Sequence, residues 1–272
     1  MPFKNIGDID LYYEDCGEGV PLLFITGLSG STRSYYGQIP FFKQYYRCIV
    51  FDNRGAGQSD KPEGPYTIAR MAEDALALLD RLHIEKTLVF AMSMGGMIAL
   101  ELAKIASMRL GAMLLGCTNA GRKSRIPPSA EAMALLTDVA GISREEILWK
   151  QTPLFFSDKF RSENSKAIEE YYRMQLMTPL QPDYAYQAQV EAINRFDCTD
   201  ALTEIRNPAL AATGTEDVLI PPANSTYLAE HLPNSELIVI PGAGHALHVE
   251  CRDFFNQAAH SFYQKHLGKV RN

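Results

Sequence analysis

The stretch Thr87–Glu101, TLVFAMSMGGMIALE, is an apolar run that breaks at Ser93 and resumes after two glycines. A neutral hydroxyl is a poor nucleophile. It becomes reactive when a base within hydrogen-bond reach takes its proton and a third group fixes that base's tautomer. Ser93 is the centre of Ala91-x-Ser93-x-Gly95, with strand-like TLVF before it and helix-like MIALELA after it. This is the pattern of a nucleophile elbow, a tight strand-to-helix turn with the hydroxyl at its tip. Residues two before and two after the serine approach each other and the adjacent strands, so only very small side chains fit. A rival, Ser29 in GLSGS, also follows an apolar run but lacks the glycine two residues on.

Six histidines compete for the role of base. His245 lies in IVIPGAGHALHVE, where a strand ends in a glycine-rich turn ahead of a helix, so its imidazole can project over the same end of a sheet as Ser93. His248 falls one helical turn later and is expected to point elsewhere, and His83, His231, His260 and His266 lie in or at the ends of amphipathic helices. For the acid, LAATGTEDVLIPP sets Asp217 just after a strand, at the carboxyl end where open α/β sheets bind ligands, with Glu216 as the neighbouring alternative.

Elements that could position these groups follow from the hydrophobic pattern. NIGDIDLYYEDCG alternates in polarity and reads as a half-exposed strand pair. VPLLFITG, YRCIVFDNRG and KTLVFAMS are continuous apolar runs, as expected of parallel strands buried on both faces, and MRLGAMLLGC supplies another strand. Between them Tyr66–Ile84 carries apolar residues at helical spacing. The segment from Asn119 to about Asp200 has no convincing buried strand and reads as an inserted set of helices. NPALAATG and SELIVIPGAG then return to strand, and a last helix runs from about Ala246. The expected class is α/β: a mostly parallel twisted sheet flanked by helices, with core residues 1–118 and 201–272 and a helical cap at 119–200.

Composition excludes several functions. The formal charge of −6 offers no basic stripe for nucleic acid or an anionic membrane. The five cysteines are odd in number, scattered and without a CxxC pair, which suits reduced thiols and a cytoplasmic location. The N-terminal residues are acidic where a signal peptide would be apolar. His245 and His248 lack the HExxH pattern, and no GxGxxG or P-loop is present, so neither a metal nor another cofactor is expected. The expected partner is a small-molecule substrate, with a second copy of the chain admitted.

The order Ser93, Asp217, His245, together with FDNRGAGQSD, which is similar to a DxRGxGxS loop, and PGAGH, similar to a histidine loop, resembles the α/β-hydrolase superfamily over essentially the whole chain. The small cap, the TGLSGS loop and GTEDVLIPP resemble its esterase and lactonase branch, including 3-oxoadipate enol-lactonases. The resemblance implies a serine hydrolase of the carboxylic ester class, acting on an ester, lactone or thioester through an acyl-enzyme on Ser93. The amides of Leu28 and Met94 would form the oxyanion hole. One departure is Thr26-Gly27-Leu28, where the family often has His-Gly; the hole is built from backbone amides and does not need that histidine. Trp149, Phe155, Tyr172 and Met177 of the cap are the expected substrate contacts. Rival readings are a small-molecule receptor on the same scaffold, a cofactor-free oxygenase or perhydrolase, and a C–C bond hydrolase.

Overall fold

In the computed structural model, which describes residues 2–138 and 141–271, the apolar runs join one sheet. Among the described residues its strands are β1 (Phe3–Asn5), β2 (Asp10–Cys16), β3 (Pro21–Ile25), β4 (Arg47–Phe51), β5 (Thr87–Met92), β6 (Leu110–Gly116), β7 (Ala209–Gly214) and β8 (Ser235–Ile240). They lie in the order β1-β2-β4-β3-β5-β6-β7-β8. The pairings β1–β2 and β2–β4 are antiparallel, and the rest are parallel.

Side-chain alternation divides each central strand between two cores. Leu23 and Ile25 of β3 face a cluster that includes the helices Ile68–Arg81 and Met94–Ala106; Leu22 and Phe24 face another that includes Arg252–His266. Because both faces are covered, β5, β6 and β7 are buried along their full lengths. The equally apolar β8 behaves differently: as the edge strand it leaves Leu237 and Val239 38% and 41% exposed.

The helix expected over Tyr66–Ile84 spans Ile68–Arg81. Thr67 caps it, accepting the Arg70 N–H at 3.0 Å, and His83, at φ +54°, turns the chain away beyond its end. On its inner side Asp74 accepts two bonds from Arg54, at 2.5 and 2.7 Å, fastening the loop after β4 to this helix. The C-terminal helix is three pieces, Leu247–Glu250, Arg252–His266 and Gly268–Arg271, broken at Cys251 and Leu267.

Between β6 and β7 the chain is helical: Ala130–Thr137, Arg144–Lys150, Thr152–Phe155, Asp158–Glu163, Ser165–Leu176 and Asp183–Arg195. Residues 139 and 140 of this insertion lie outside the described residues. Its two ends are stitched together, with Cys198 N–H donating to Ala120 O at 2.7 Å and Arg122 N–H to Phe196 O at 2.9 Å. Among the described residues no helix is long and apolar enough to cross a membrane.

Candidate active site

Ser93 is the single residue between β5 and the helix Met94–Ala106, and it adopts φ +55°, ψ −124°. A non-glycine residue held there costs on the order of 1–3 kcal/mol and persists only when its surroundings over-determine it. They do so in two ways. The Ser93 N–H donates to Gly116 O at 2.8 Å, bonding the turn to β6. Gly95 lies so close to β3 that a Cβ there would stand 2.1 Å from Ile25 O, which explains the glycine two residues after the serine. Ala91, two before it, is fully buried in the core.

The loop after β3 meets this elbow. A Cβ on Gly27 would stand 3.1 Å from Ser93 Cβ, so the loop that carries Leu28 runs directly beside the serine. Met94 is the first residue of its helix, where a backbone N–H has no carbonyl partner within the helix.

Asp217 and His245 follow the adjacent strands β7 and β8. Asp217 is 2% exposed, whereas Glu216 is exposed, so the inward-facing carboxylate is Asp217. One of its oxygens, Oδ1, accepts the amides of Leu219 at 3.0 Å and Ile220 at 2.8 Å, fixing the carboxylate in a turn. Oδ2 stands 2.9 Å from His245 Nδ1. An ionised carboxylate only accepts, so Nδ1 carries the proton and Nε2 is left as the basic nitrogen. Among the described residues no hydrogen bond joins Nε2 to the Ser93 hydroxyl; such bonds are often long before substrate binds.

His245 sits in a loop braced from the insertion. The Ala246 N–H donates to Phe155 O at 2.8 Å, and the Phe155 ring lies 6.0 Å from the imidazole. Glu250 gathers three donors: Ser157 N–H at 2.8 Å, Ser157 Oγ–H at 2.9 Å and Gly244 N–H at 3.1 Å.

Two further groups lie near this pair: Cys117, whose place beside it was not foreseen in the sequence, and His248, which was expected to point elsewhere. Cys117, at the end of β6 with φ +46°, offers its sulfur within 4.8 Å of ligand atoms of both Asp217 and His245. Burial, reinforced by the Asp217 charge, pushes the thiol well above its ordinary range. A neutral thiol beside a carboxylate already engaged by two amides and an imidazole suits a fixed acid better than a metal site. His248 is the other. Its ring packs between Tyr35 and Tyr171, 6.0 and 6.2 Å away, and burial, with the nearby His245, pushes it down to about 3, so it stays neutral.

Of the expected substrate contacts, Phe155 is the one brought against His245. Trp149, Tyr172 and Met177 line a groove of about 410 Å³ along the helices Arg144–Lys150 and Ser165–Leu176, shared with Glu145, Glu169 and Arg173. Trp149 and Met177 are exposed there, while the Tyr172 hydroxyl is buried against Thr152 Oγ at 2.8 Å. The rival Ser29 stands at φ +58° with its hydroxyl donating to Gln181 Oε1 at 2.5 Å, so its partner is a carboxamide with no basic character.

A parallel sheet with an elbow after its central strand, an acid after the next strand but one and a histidine after the last defines a class of enzyme. The chain belongs to the α/β-hydrolase fold family, whose model matches residues 20–250, and it is a hydrolase of that family. It is 30% identical over 260 residues to the provisionally named carbamate hydrolase RutD of Azorhizobium caulinodans, covering 94% of this chain and 96% of the relative. It is also 30% identical over 275 residues to the provisionally named non-heme bromoperoxidase BpoC of Mycobacterium tuberculosis, covering 94% and 98%. Among solved structures, Est816, described as an N-acyl homoserine lactone degrading enzyme, is similar with a TM-score of 0.83 at 28% identity, covering 96% of this chain and all (100%) of that one.

Proposed function

We propose that the chain is a serine hydrolase that cleaves a small ester, lactone, thioester or carbamate through an acyl-enzyme on Ser93. The observation that carries this reading is the buried Asp217–His245 pair at 2.9 Å, in the segments after β7 and β8, at the same end of the sheet as a serine strained into an elbow after β5. His245 Nε2 takes the Ser93 proton as Oγ bonds to the substrate carbonyl carbon. The amides of Leu28 and Met94 hold the oxyanion that develops. The tetrahedral adduct collapses, the C–O, C–S or C–N bond to the leaving group breaks, and the imidazolium returns its proton to that group. Water, deprotonated by the same nitrogen, then attacks the acyl carbon, and Ser93 leaves with the proton restored. Asp217 holds the imidazole in the required tautomer throughout. The insertion, which reaches His245 through Phe155, covers the site and limits the acyl group's size.

Support for a carbonyl substrate comes from the likeness to relatives named for a carbamate and for an acyl-homoserine lactone. The test is labelling of the intact protein with a fluorophosphonate, followed by peptide mapping, alongside turnover of p-nitrophenyl acetate, a lactone and a carbamate. Adduct on Ser93, and a Ser93→Ala variant with normal melting whose hydrolysis falls on the order of a millionfold, are expected. Adduct on Ser29, or retained hydrolysis in Ser93→Ala, would reject the assignment.

A second reading is favoured by the likeness to the bromoperoxidase-named relative. Hydrogen peroxide replaces water in the second half-reaction and releases a peracid. Peroxide-dependent peracid formation from an acyl donor by the wild type and not by Ser93→Ala would select it.

A further inference from the structure

The loop that carries Leu28 is a tight turn, closed by Gly30 N–H donating to Gly27 O at 3.1 Å. Leu28 and Ser29 are its central residues, and Ser29 stands at φ +58°. A positive φ at the second central position of a turn favours glycine, because a side chain there is strained. In the alternative turn, in which Ser29 would have an ordinary negative φ, the Leu28–Ser29 peptide is flipped by about half a turn. The sequence therefore leans toward the flipped peptide, and something must hold it in the observed orientation.

Gln189 does so. Its Oε1 accepts the Ser29 N–H at 3.1 Å, and its Nε2 donates to Arg54 O at 2.8 Å. The side chain is fully buried, with 0% exposure. The carboxamide cannot be reversed without setting N–H against N–H and oxygen against oxygen, so it reads the direction of the Ser29 amide. Gln181 completes the arrangement: its Nε2 donates to Gln189 Oε1 at 3.1 Å and to Gly55 O at 2.8 Å, and its Oε1 accepts the Ser29 hydroxyl. Gln189 and Gln181 both belong to the insertion, and Ser29, Arg54 and Gly55 to the core.

We infer that Gln189 is a positioning residue of the turn that carries the Leu28 amide: by bonding the Ser29 N–H it fixes the Leu28–Ser29 peptide, and through the Leu28 backbone it steadies the preceding Gly27–Leu28 peptide, to which the Leu28 N–H belongs, so docking of the insertion and setting of the oxyanion turn are one event. The inference rests on the proposed serine hydrolase reading. It assigns Gln189 no contact with substrate.

The test compares Gln189→Leu and Gln189→Glu with wild type in the full-length protein, using p-nitrophenyl acetate turnover, fluorophosphonate labelling of Ser93 and thermal melting. Gln189→Leu is expected to lower kcat about 10- to 100-fold while KM changes less than about threefold, as for loss of one oxyanion-hole donor or less. Gln189→Glu keeps an acceptor for Ser29 and sets a carboxylate oxygen against Arg54 O. Its activity relative to wild type should rise as pH falls and the buried carboxyl gains the proton that replaces the lost donor. The ratio for Gln189→Leu should stay flat across the same range. A purely structural role would reduce both variants in step with their folded fraction, with no such divergence in pH profile, and would overturn the inference. So would an unchanged kcat in Gln189→Leu. Absence of turnover and labelling in the wild type would instead sink the hydrolase reading, and the inference with it.

Discussion

At the loop that carries His245 a core carboxylate reaches out to the insertion, whereas at the loop that carries Leu28 a carboxamide of the insertion reaches in to the core. Glu250 offers only acceptors and draws three donors, two of them from Ser157 of the insertion and one from Gly244 of its own loop. Burial pushes it above the usual carboxylate range, against the opposing pull of those hydrogen bonds. Gln189 is neutral, and it both accepts from Ser29 and donates to Arg54. The difference is one of information. A carboxylate gathers whatever N–H groups surround it, while a carboxamide with a partner at each end discriminates one peptide orientation from its reverse. The first device gives strength, the second direction.

That contrast can be broken by experiment. The largest effect is expected at Glu250: Glu250→Ala leaves the buried Ser157 and Gly244 donors without partners, at a cost of about 3 kcal/mol, or roughly 6–12 °C in melting temperature for a chain of this size. A melting temperature within 2 °C or so of wild type would deny the carboxylate its anchoring role.

A smaller, pH-dependent effect is expected beneath the neutral anchor. Asp52, which follows β4, accepts Thr32 N–H at 2.6 Å and Gln58 N–H at 2.7 Å, and burial outweighs these bonds to push it up to about 6. An unfolded aspartate titrates near 3.9, so folding favours the protonated carboxyl. Its contribution to stability is fully present below about pH 4 and is lost as pH rises through about 6, a swing on the order of 2–3 kcal/mol. Denaturant melts of wild type and Asp52→Asn should therefore differ by this amount more at one end of that window than at the other. Parallel curves would show that the titrating group on this side lies elsewhere.

Least is expected of Tyr184, whose hydroxyl donates to Lys61 O at 2.6 Å from a half-exposed side chain on the same helix as Gln189. Tyr184→Phe should cost under about 1 kcal/mol and leave kcat on p-nitrophenyl acetate unchanged. An effect on kcat as large as that of Gln189→Leu would mean that any loosened contact of this helix lowers turnover, and the selectivity claimed for the carboxamide would disappear.

Much of this arrangement can be read along the chain, and the unread part has a physical cause. Ser93, Asp217 and His245 announce themselves because each ends an apolar run and stands at the same end of the sheet. Local pattern carries that information. β8 is a strand as its pattern reads, but an apolar run does not reveal whether its strand will be central or at an edge. Trp149 and Met177 show a related limit: an aromatic or methionine in a helical segment does not say which side of the helix will be covered, and both stand exposed. Cys117 and His248 gain their character from neighbours more than 90 residues away in sequence, Asp217 for the first and Tyr35 for the second. Gln189 was partly legible. It falls on the same stripe as the buried Ala185, Ala188 and Ala192, and a glutamine on a small-residue face asks for partners.

The stitched ends of the insertion have a wider consequence. Chain departs from the sheet and comes back to it at a single crossing, bonded around Ala120–Arg122 and Phe196–Cys198. Strands β6 and β7 therefore experience the same short bridge whatever length of polypeptide lies beyond it, and lengthening a closed loop costs only a fraction of a kcal/mol per doubling. Through this one gate an excursion of different size or shape can be exchanged for the present one while the register of the sheet is conserved, provided the newcomer again supplies a carboxamide to the Ser29 amide.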